Sequence, residues 1–510
     1  MQPLEAACIA AYRWQPMLRR FVLLPLTLLA ATSACGSADD GAVDVALIGS
    51  EDAILTSSLR LSGPAQHIRA ATQSGLVSLN AQGEVVPALA EAWIVVDEGQ
   101  TFIFRLRQGS TWPDGTEMTA ASVEQALEES IDGLDGTSLA QDLALVEEVR
   151  AMAGRVIEIR LSAPVPYLVQ LLAQPELALR QPGGETGPMT LARGEEGIAL
   201  DFKPPLERGL PEDEDWREDV RELRVHFGSP AEAIAMFDAG EAEVVLGGTL
   251  GSIMQVDPGP LSAGTLRVET PYGLFGLHIL AQYGLLSNSG VREGIAMAID
   301  REALLADFNV GGWTVTTRPV SPDLPSDPGL VNERWQDEEI ADLRAEAAAR
   351  IAEWRRQFDE GDLSRPATIT VAMPAGSGWE ALFNDLAAQL IGIDILLLRV
   401  EDARSADMVM IDRVARYASP LWFLNQFHCG LGRGLCAEEV DAMVEQAIAQ
   451  RDPAQRARML AQAEAALTLE NVYIPIASPL RWSLVRGSVE GFTANAYAFH
   501  PLPDLALIPR

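Results

Sequence analysis

Two arginines, a tyrosine and a tryptophan stand in RVARYASPLWFL, Arg413 to Leu424, between the apolar runs ADMVMI and LNQF. An unpaired buried charge is expensive, so such residues are paired, at a surface or facing a ligand. Arg413, Arg416, Tyr417 and Trp422 are therefore candidate ligand-binding residues. Trp313, after Gly311-Gly312, and Trp379, after AGSG, join them as lid or cleft-wall candidates in glycine-rich loops. Aromatic walls bury ligand area without demanding one side-chain sequence. Catalysis is not signalled. The histidines (His67, His226, His278, His428, His500) are scattered, with no pair at metal-ligand spacing. There is no G-x-S-x-G elbow, no H-E-x-x-H and no P-loop. A secreted hydrolase would need an activated nucleophile, and none is marked. No metal and no cofactor is expected.

The chain has 510 residues, which points to two or three domains. It carries 72 acidic against 38 basic residues, a formal charge of −34, with Lys203 its single lysine. That balance excludes nucleic acid, whose phosphates demand a basic stripe, and adhesion to an anionic membrane through surface charge. From Met17 the sequence MLRRFVLLPLTLLAATSAC has two arginines, an apolar core from Phe21 to Leu29 and small residues before Cys35. This is the three-part export signal, too short for an ordinary membrane span. Residues 1–34 are expected to be removed, and residues 1–16 carry no recognisable signal, so Met17 rather than Met1 is a candidate start. Ala34-Cys35-Gly36 resembles a bacterial lipobox, with Thr32 where leucine is usual, which implies lipidation of Cys35. Export to an oxidising compartment leaves Cys429 and Cys436, in HCGLGRGLC, free to close a small disulfide loop. Zinc is the rival reading, but His428 is the only other ligand type nearby and structural zinc wants four.

The elements that must position these residues alternate. VDVALI reads as a buried strand. TFIFRLR alternates Phe102, Phe104 and Leu106 with Ile103, Arg105 and Arg107, the period of a half-buried strand. Thr119 can cap a helix carrying Val123, Leu127 and Ile131. The stretch from Gln181 to Asp219, rich in proline, glycine and acids, reads as loop and domain crossing. Val291, Ile295, Ile299 and Leu304 form one stripe of an amphipathic segment, in which Asp300 and Arg301 are expected to pair at a helix end. RPVSPDLPSDPGL reads as a second crossing. Strands alternating with helices throughout mean an α/β architecture.

Four passages, in order, resemble the extracytoplasmic solute-binding proteins of family 5, the peptide- and nickel-type binding proteins of ABC transporters. They are VVPALAEAWIVVDEGQTFIFRLRQGSTWPDGTEMTAASVEQAL, TGPMTLA, VREGIAMAIDREALL and IPIASPLRWSLVRGSVEGFTANAYAFHPLPDLAL. Met189 stands where the family's G-T-G-P-Y segment has tyrosine. The resemblance implies a two-lobed periplasmic-binding-protein-like fold, with a hinge and an additional inserted small domain. Lobe I maps to 36–75, 183–270 and 479–510, the insertion to 76–182 and lobe II to 271–478. It also implies a monomer in the periplasm, anchored through Cys35, that captures a peptide-like or other small solute and delivers it to the membrane subunits of an ABC permease. It implies no enzymatic activity. The alternatives are a lipoprotein that binds another protein and, further off, a secreted hydrolase. Tyr272 matches the crossing strand where family members place an aromatic over the ligand, and His278 stands near the family's asparagine. A cysteine pair in the 429–436 loop is also frequent among dipeptide-binding members.

In peptide-binding relatives the RVARYASPLWFL stretch resembles an A-D-Y or G-D pattern followed by proline, and its aspartate meets the ligand's α-ammonium. Aligned on Tyr417, Pro420 and Phe423-Leu424, that aspartate falls at Arg416, reversing the charge. A guanidinium repels an ammonium and can hold a carboxylate or phosphate. The expectation is that Arg416 faces the cleft and that the ligand is an acidic or blocked peptide, or an anionic or sugar-like solute. In the alternative, Arg416 points at a surface acid and Arg413 lines the cleft.

Overall fold

The computed structural model describes residues 41–181, 184–194, 197–257, 264–358 and 363–508. The expected signal segment, Cys8 and Cys35 lie outside them. Among the described residues no helix is long and apolar enough to cross a membrane.

Two mixed sheets form the two lobes. The first has seven strands, in the order Leu266–Glu269, Arg481–Val485, Val244–Thr249, Ala42–Ile48, Glu222–Gly228, Ile198–Phe202 and Met189–Arg193. Ala42–Ile48 lies at its centre, parallel to both neighbours. Val43, Val45, Ala46 and Leu47 are fully buried there. A near-continuous apolar run suits a strand covered on both faces. The second sheet has five strands, in the order Ile395–Val400, Ala367–Ala372, Met408–Val414, Gly273–Ile279 and Tyr473–Ala477. Its helix Ser377–Ile391 packs Leu382, Leu386 and Leu390, a four-residue repeat, into the core. Between Val77 and Leu177 a two-stranded and a four-stranded sheet, with the helices among and after their strands, form a smaller body. Phe102, Phe104 and Leu106 point into its core, as their alternation predicts. Thr119 and Ser122 cap the helix Ala120–Asp132 reciprocally.

The chain passes between the large sheets at residues 270–272 and 478–480, each crossing carrying one proline, Pro271 and Pro479. The crossings lie side by side: Glu269 pairs with Arg481, and Phe275 with Ala477. Only glycine fits at position 273. A Cβ there would stand 2.0 Å from the Arg413 carbonyl oxygen and 2.8 Å from the Pro479 ring.

Three expectations are corrected. The stretch 181–219 is not simply loop, because it contains Met189–Arg193 and Ile198–Phe202, an antiparallel pair at one sheet edge. Met189, Ile198, Leu200 and Phe202 are buried, while the prolines and acids that suggested loop lie mostly in the turns around them. The proline-rich segment 318–335 is no crossing between lobes. It joins helices Arg301–Ala306 and Ile340–Phe358, and its ends are pinned by Arg318 to Glu464 and by Glu333 to Thr316 and Thr317. Asp300 and Arg301 do not hold the helix end by pairing with each other. Asp300 caps the helix through the Ala303 N–H, whereas Arg301 is buried and donates to the carbonyls of Ala296, Ile299 and Pro475. Burying a guanidinium requires acceptors, and main-chain carbonyls supply them.

Candidate functional site

A cavity of about 820 Å³ opens between the seven-stranded sheet, the smaller body and the five-stranded sheet. Pockets for small ligands span roughly 300–1,000 Å³. The first sheet contributes Gly247–Thr249 and Arg481–Ser483, from the paired strands Val244–Thr249 and Arg481–Val485, together with residues 59–64 at the start of helix Gly63–Thr72. The smaller body contributes Asp142 and Gln174–Glu176, and the second sheet contributes Asp412–Arg416, Trp422 and Arg433. Strand Met408–Val414 explains the last set. Its apolar half, Met408, Met410 and Ile411, is in the core, and its polar end reaches the cavity.

Of the sequence candidates, Arg413, Arg416 and Trp422 border the cavity. Arg416 donates to Glu176 at 2.7 Å, with the carboxylate 4% exposed, so its charge is already matched. Its partner is a buried acid of the smaller body rather than a surface one. Among the described residues, the Arg413 side chain meets the neutral Gln426 oxygen, at 3.3 Å, and no carboxylate. Tyr417 lies behind the cavity wall, fully buried, stacked on Tyr167 at 4.4 Å and donating to Asp142 at 2.8 Å.

Trp313, Trp379 and His278, expected to contact ligand, do not line this cavity. Trp379 is buried, stacked on Phe275 and against Gly251. Trp313 packs on Phe275 and Phe308 and donates to the Ser478 carbonyl, beside a crossing strand. His278 is buried against Phe427 with a ring nitrogen 3.0 Å from the Leu435 carbonyl oxygen, and burial lowers its pKa to about 4. Trp379 and His278 are buried on a helix and a strand of the second sheet's lobe, and Trp313 packs half-buried from a loop. Tyr272 also stays off the cavity wall, edge-on to Tyr497, which does border it.

Cys429 and Cys436 are joined by a disulfide, with their Cα atoms 5.3 Å apart. The closed loop presents Arg433 to the cavity. Gly434 lets it lie close to strand Gly273–Ile279, since a Cβ there would meet His278 and the Ile279 carbonyl at 2.8 Å. Among the described residues no cluster of three potential metal ligands occurs.

Sequence reading missed Arg60, Asp142, Glu176, Arg433 and Arg481. The signal that singled out Arg416 was also present for two of them. Glu176 in LLAQPELAL and Asp142 in LAQDLAL are lone acids in apolar runs. Asp142 accepts from Tyr417 and, at 2.7 Å, from the Asn425 amide, tying the smaller body to the second sheet. Its other carboxylate oxygen is buried without a partner. Burial pushes its pKa up to about 7 against the opposing pull of those two hydrogen bonds. A carboxyl held above its unfolded value contributes full stability below pH 4, and loses it as pH rises through about 7. Asp142→Asn keeps the accepting oxygen and removes the titration. Wild type should therefore lose stability relative to the variant between about pH 4 and 7. Thermal melts of both proteins across that range check this; a constant difference contradicts it.

A family model described as bacterial extracellular solute-binding proteins, family 5, middle region, matches residues 84–433. The chain is 21% identical over 446 residues to the dipeptide-binding protein DppE of Bacillus subtilis (strain 168), covering 79% of this chain and 80% of that one. It is 32% identical over 120 residues to the probable deoxycholate-binding periplasmic protein YgiS of Escherichia coli (strain K12), covering 20% of this chain and 22% of that protein. The fold is similar to that of Haemophilus influenzae OppA in complex with RPPGFSPFR, with TM-score 0.77 at 18% identity over 92% of this chain and 99% of the other.

Proposed function

We infer the function from the family to which this chain belongs, the bacterial extracellular solute-binding proteins of family 5. Family members are binding proteins of ABC transporters rather than enzymes. We propose that this one captures a small solute between its lobes outside the cytoplasm and hands it to an ABC permease, tethered to the membrane through a lipidated Cys35. The observation that carries the proposal is the 820 Å³ cavity, walled from both large sheets, which only two short strand connections join. We take the lobes as 36–75 with 183–270 and 479–510, and 271–478, with 76–182 inserted. Residues 270–272 and 478–480 then form the hinge, and a solute touching both walls stabilises the closed state. Relatives named for dipeptides and deoxycholate support a small organic ligand.

Small-angle scattering tests closure on protein stripped of ligand by unfolding and refolding. Adding back the solute that co-purifies, identified by mass spectrometry, should compact the protein. No compaction with any extracted solute would overturn the proposal in favour of a protein-binding lipoprotein. Tethering predicts that Cys35→Ser moves the mature chain from the membrane to the soluble fraction. Wild type found wholly soluble would remove the anchor from the proposal.

A further inference from the structure

Resting on the solute-binding reading, we propose that the cavity takes a solute bearing two or more acidic groups, carboxylate or phosphate, gripped by Arg60, Arg413 and Arg433. Five arginines border the cavity: Arg60, Arg413, Arg416, Arg433 and Arg481. Its four acids are Asp142, Glu176, Glu269 and Asp412. Two of these acids are paired with arginines and a third is hydrogen-bonded to a histidine. Glu176 pairs with Arg416 at 2.7 Å, Asp412 with Arg481 at 2.8 Å and Glu269 with His500 at 2.9 Å. Asp142 serves Tyr417 and Asn425. Arg60, Arg413 and Arg433 are left with no carboxylate partner among the described residues.

The three are close enough to feel one another. Beyond the effect of burial, Arg60 lowers the pKa of Arg433, and Arg433 lowers that of Arg413, which falls to about 10. Arg413 therefore stays charged at neutral pH. Acids are not scarce, since the chain has 72 of them against 38 basic residues. Uncompensated cations gathered around one cavity in so acidic a protein call for an anion supplied from outside. Three guanidiniums offer more forks than one carboxylate can fill, so the solute carries at least two acidic groups. They also approach it from both walls. Arg60 belongs to the loop before helix Gly63–Thr72, while Arg413 and Arg433 belong to the second sheet and its disulfide loop. A bound polyanion would draw these walls together. The charge of −34 does not keep anions out, because charges more than about 8 Å away are largely screened at physiological salt.

Titration calorimetry on stripped protein tests this with N-acetyl-Glu-Glu-Glu and fructose 1,6-bisphosphate, against trialanine and trilysine. At least one acidic probe should bind, and its identity separates a carboxylate source from a phosphate source. Trialanine and trilysine should bind at least about 10-fold more weakly, and Arg413→Gln and Arg433→Gln should each weaken the acidic probe by about 10-fold. Both variants should keep the wild-type melting profile. Trialanine binding as tightly as the acidic probes, or a co-purifying solute that is neutral or cationic, overturns the anionic class and leaves solute capture standing. An acidic probe held equally by wild type and both variants overturns the residue assignment. No binding of any probe, with no closure by the co-purified solute, removes both this inference and the function it rests on.

Discussion

Arg318→Leu is expected to destabilise the second lobe by about 3–5 kcal/mol, the scale for removing one partner of a buried ion pair. Arg318 grips Glu464 with two hydrogen bonds, at 2.8 and 3.1 Å, and Asp327 with a third at 2.8 Å. The three side chains are 4%, 2% and 8% exposed. Burial works against the Arg318 charge, but the hydrogen bonds it donates to Glu464 and Asp327 outweigh that and hold the guanidinium above its ordinary pKa. Taking the arginine away leaves two neighbouring carboxylates in a dry site. It also unpins the proline-rich segment from helix Pro453–Glu470. Urea unfolding should show the transition moving to lower denaturant. The triple variant Arg318→Leu, Glu464→Leu, Asp327→Leu should recover most of the loss, because an apolar replacement of a whole buried network is often neutral. An unshifted midpoint in the single variant would show that the triad carries no net stability.

Much of the fold was legible because its signals are local. The run VDVALI, the alternation around Phe102 and the Thr119 cap are each set by a few neighbouring residues, and the structure shows each as read. Family resemblance supplied the two-lobed arrangement, which no periodicity encodes. The two corrected crossings share one physical origin. Composition was read as conformation at 181–219 and 318–335, where prolines mark turns without saying where the chain then goes. Tryptophans at the ends of glycine-rich loops were read as cleft walls. Trp379 instead turns inward onto Phe275, since a large ring gains as much from core as from ligand. Charge in core-like sequence was the better guide, as it led to Arg413, Arg416 and Trp422 at the cavity. What one stretch could not disclose was the partner. Glu176 is 240 residues from Arg416 in sequence, so only the fold could tell a matched guanidinium from an unmatched one.

That distinction fixes the expected behaviour of Arg416→Asp. Read against peptide-binding relatives alone, the substitution restores an acceptor for a ligand ammonium and should admit ordinary peptides. The structure points the other way. Glu176 is buried, with one oxygen shared between Arg416 and the Gln66 amide, and its other oxygen has no partner. An aspartate at 416 would exchange a 2.7 Å ion pair for two facing carboxylates. Aspartate is shorter than arginine, so the two charges would stand about 6–7 Å apart and repel by about 2–3 kcal/mol at an effective dielectric of 20. The lost pair adds to this, and proton uptake by one carboxylate relieves part of it. Arg416 lies on the second sheet's side and Glu176 on the smaller body, so under the proposed hinge closure the cost falls on the closed arrangement. A penalty of that size corresponds to a loss in ligand affinity of about 30–100-fold. Scattering should show a more open protein, and calorimetry should show weaker binding of the co-purified solute together with no gain for trialanine. Adding Glu176→Gln should restore much of both, because a neutral amide removes the repulsion while still meeting the Gln66 side chain. Tight trialanine binding by the single variant would mean that Arg416, not the trio of Arg60, Arg413 and Arg433, is where this protein reads its ligand's charge.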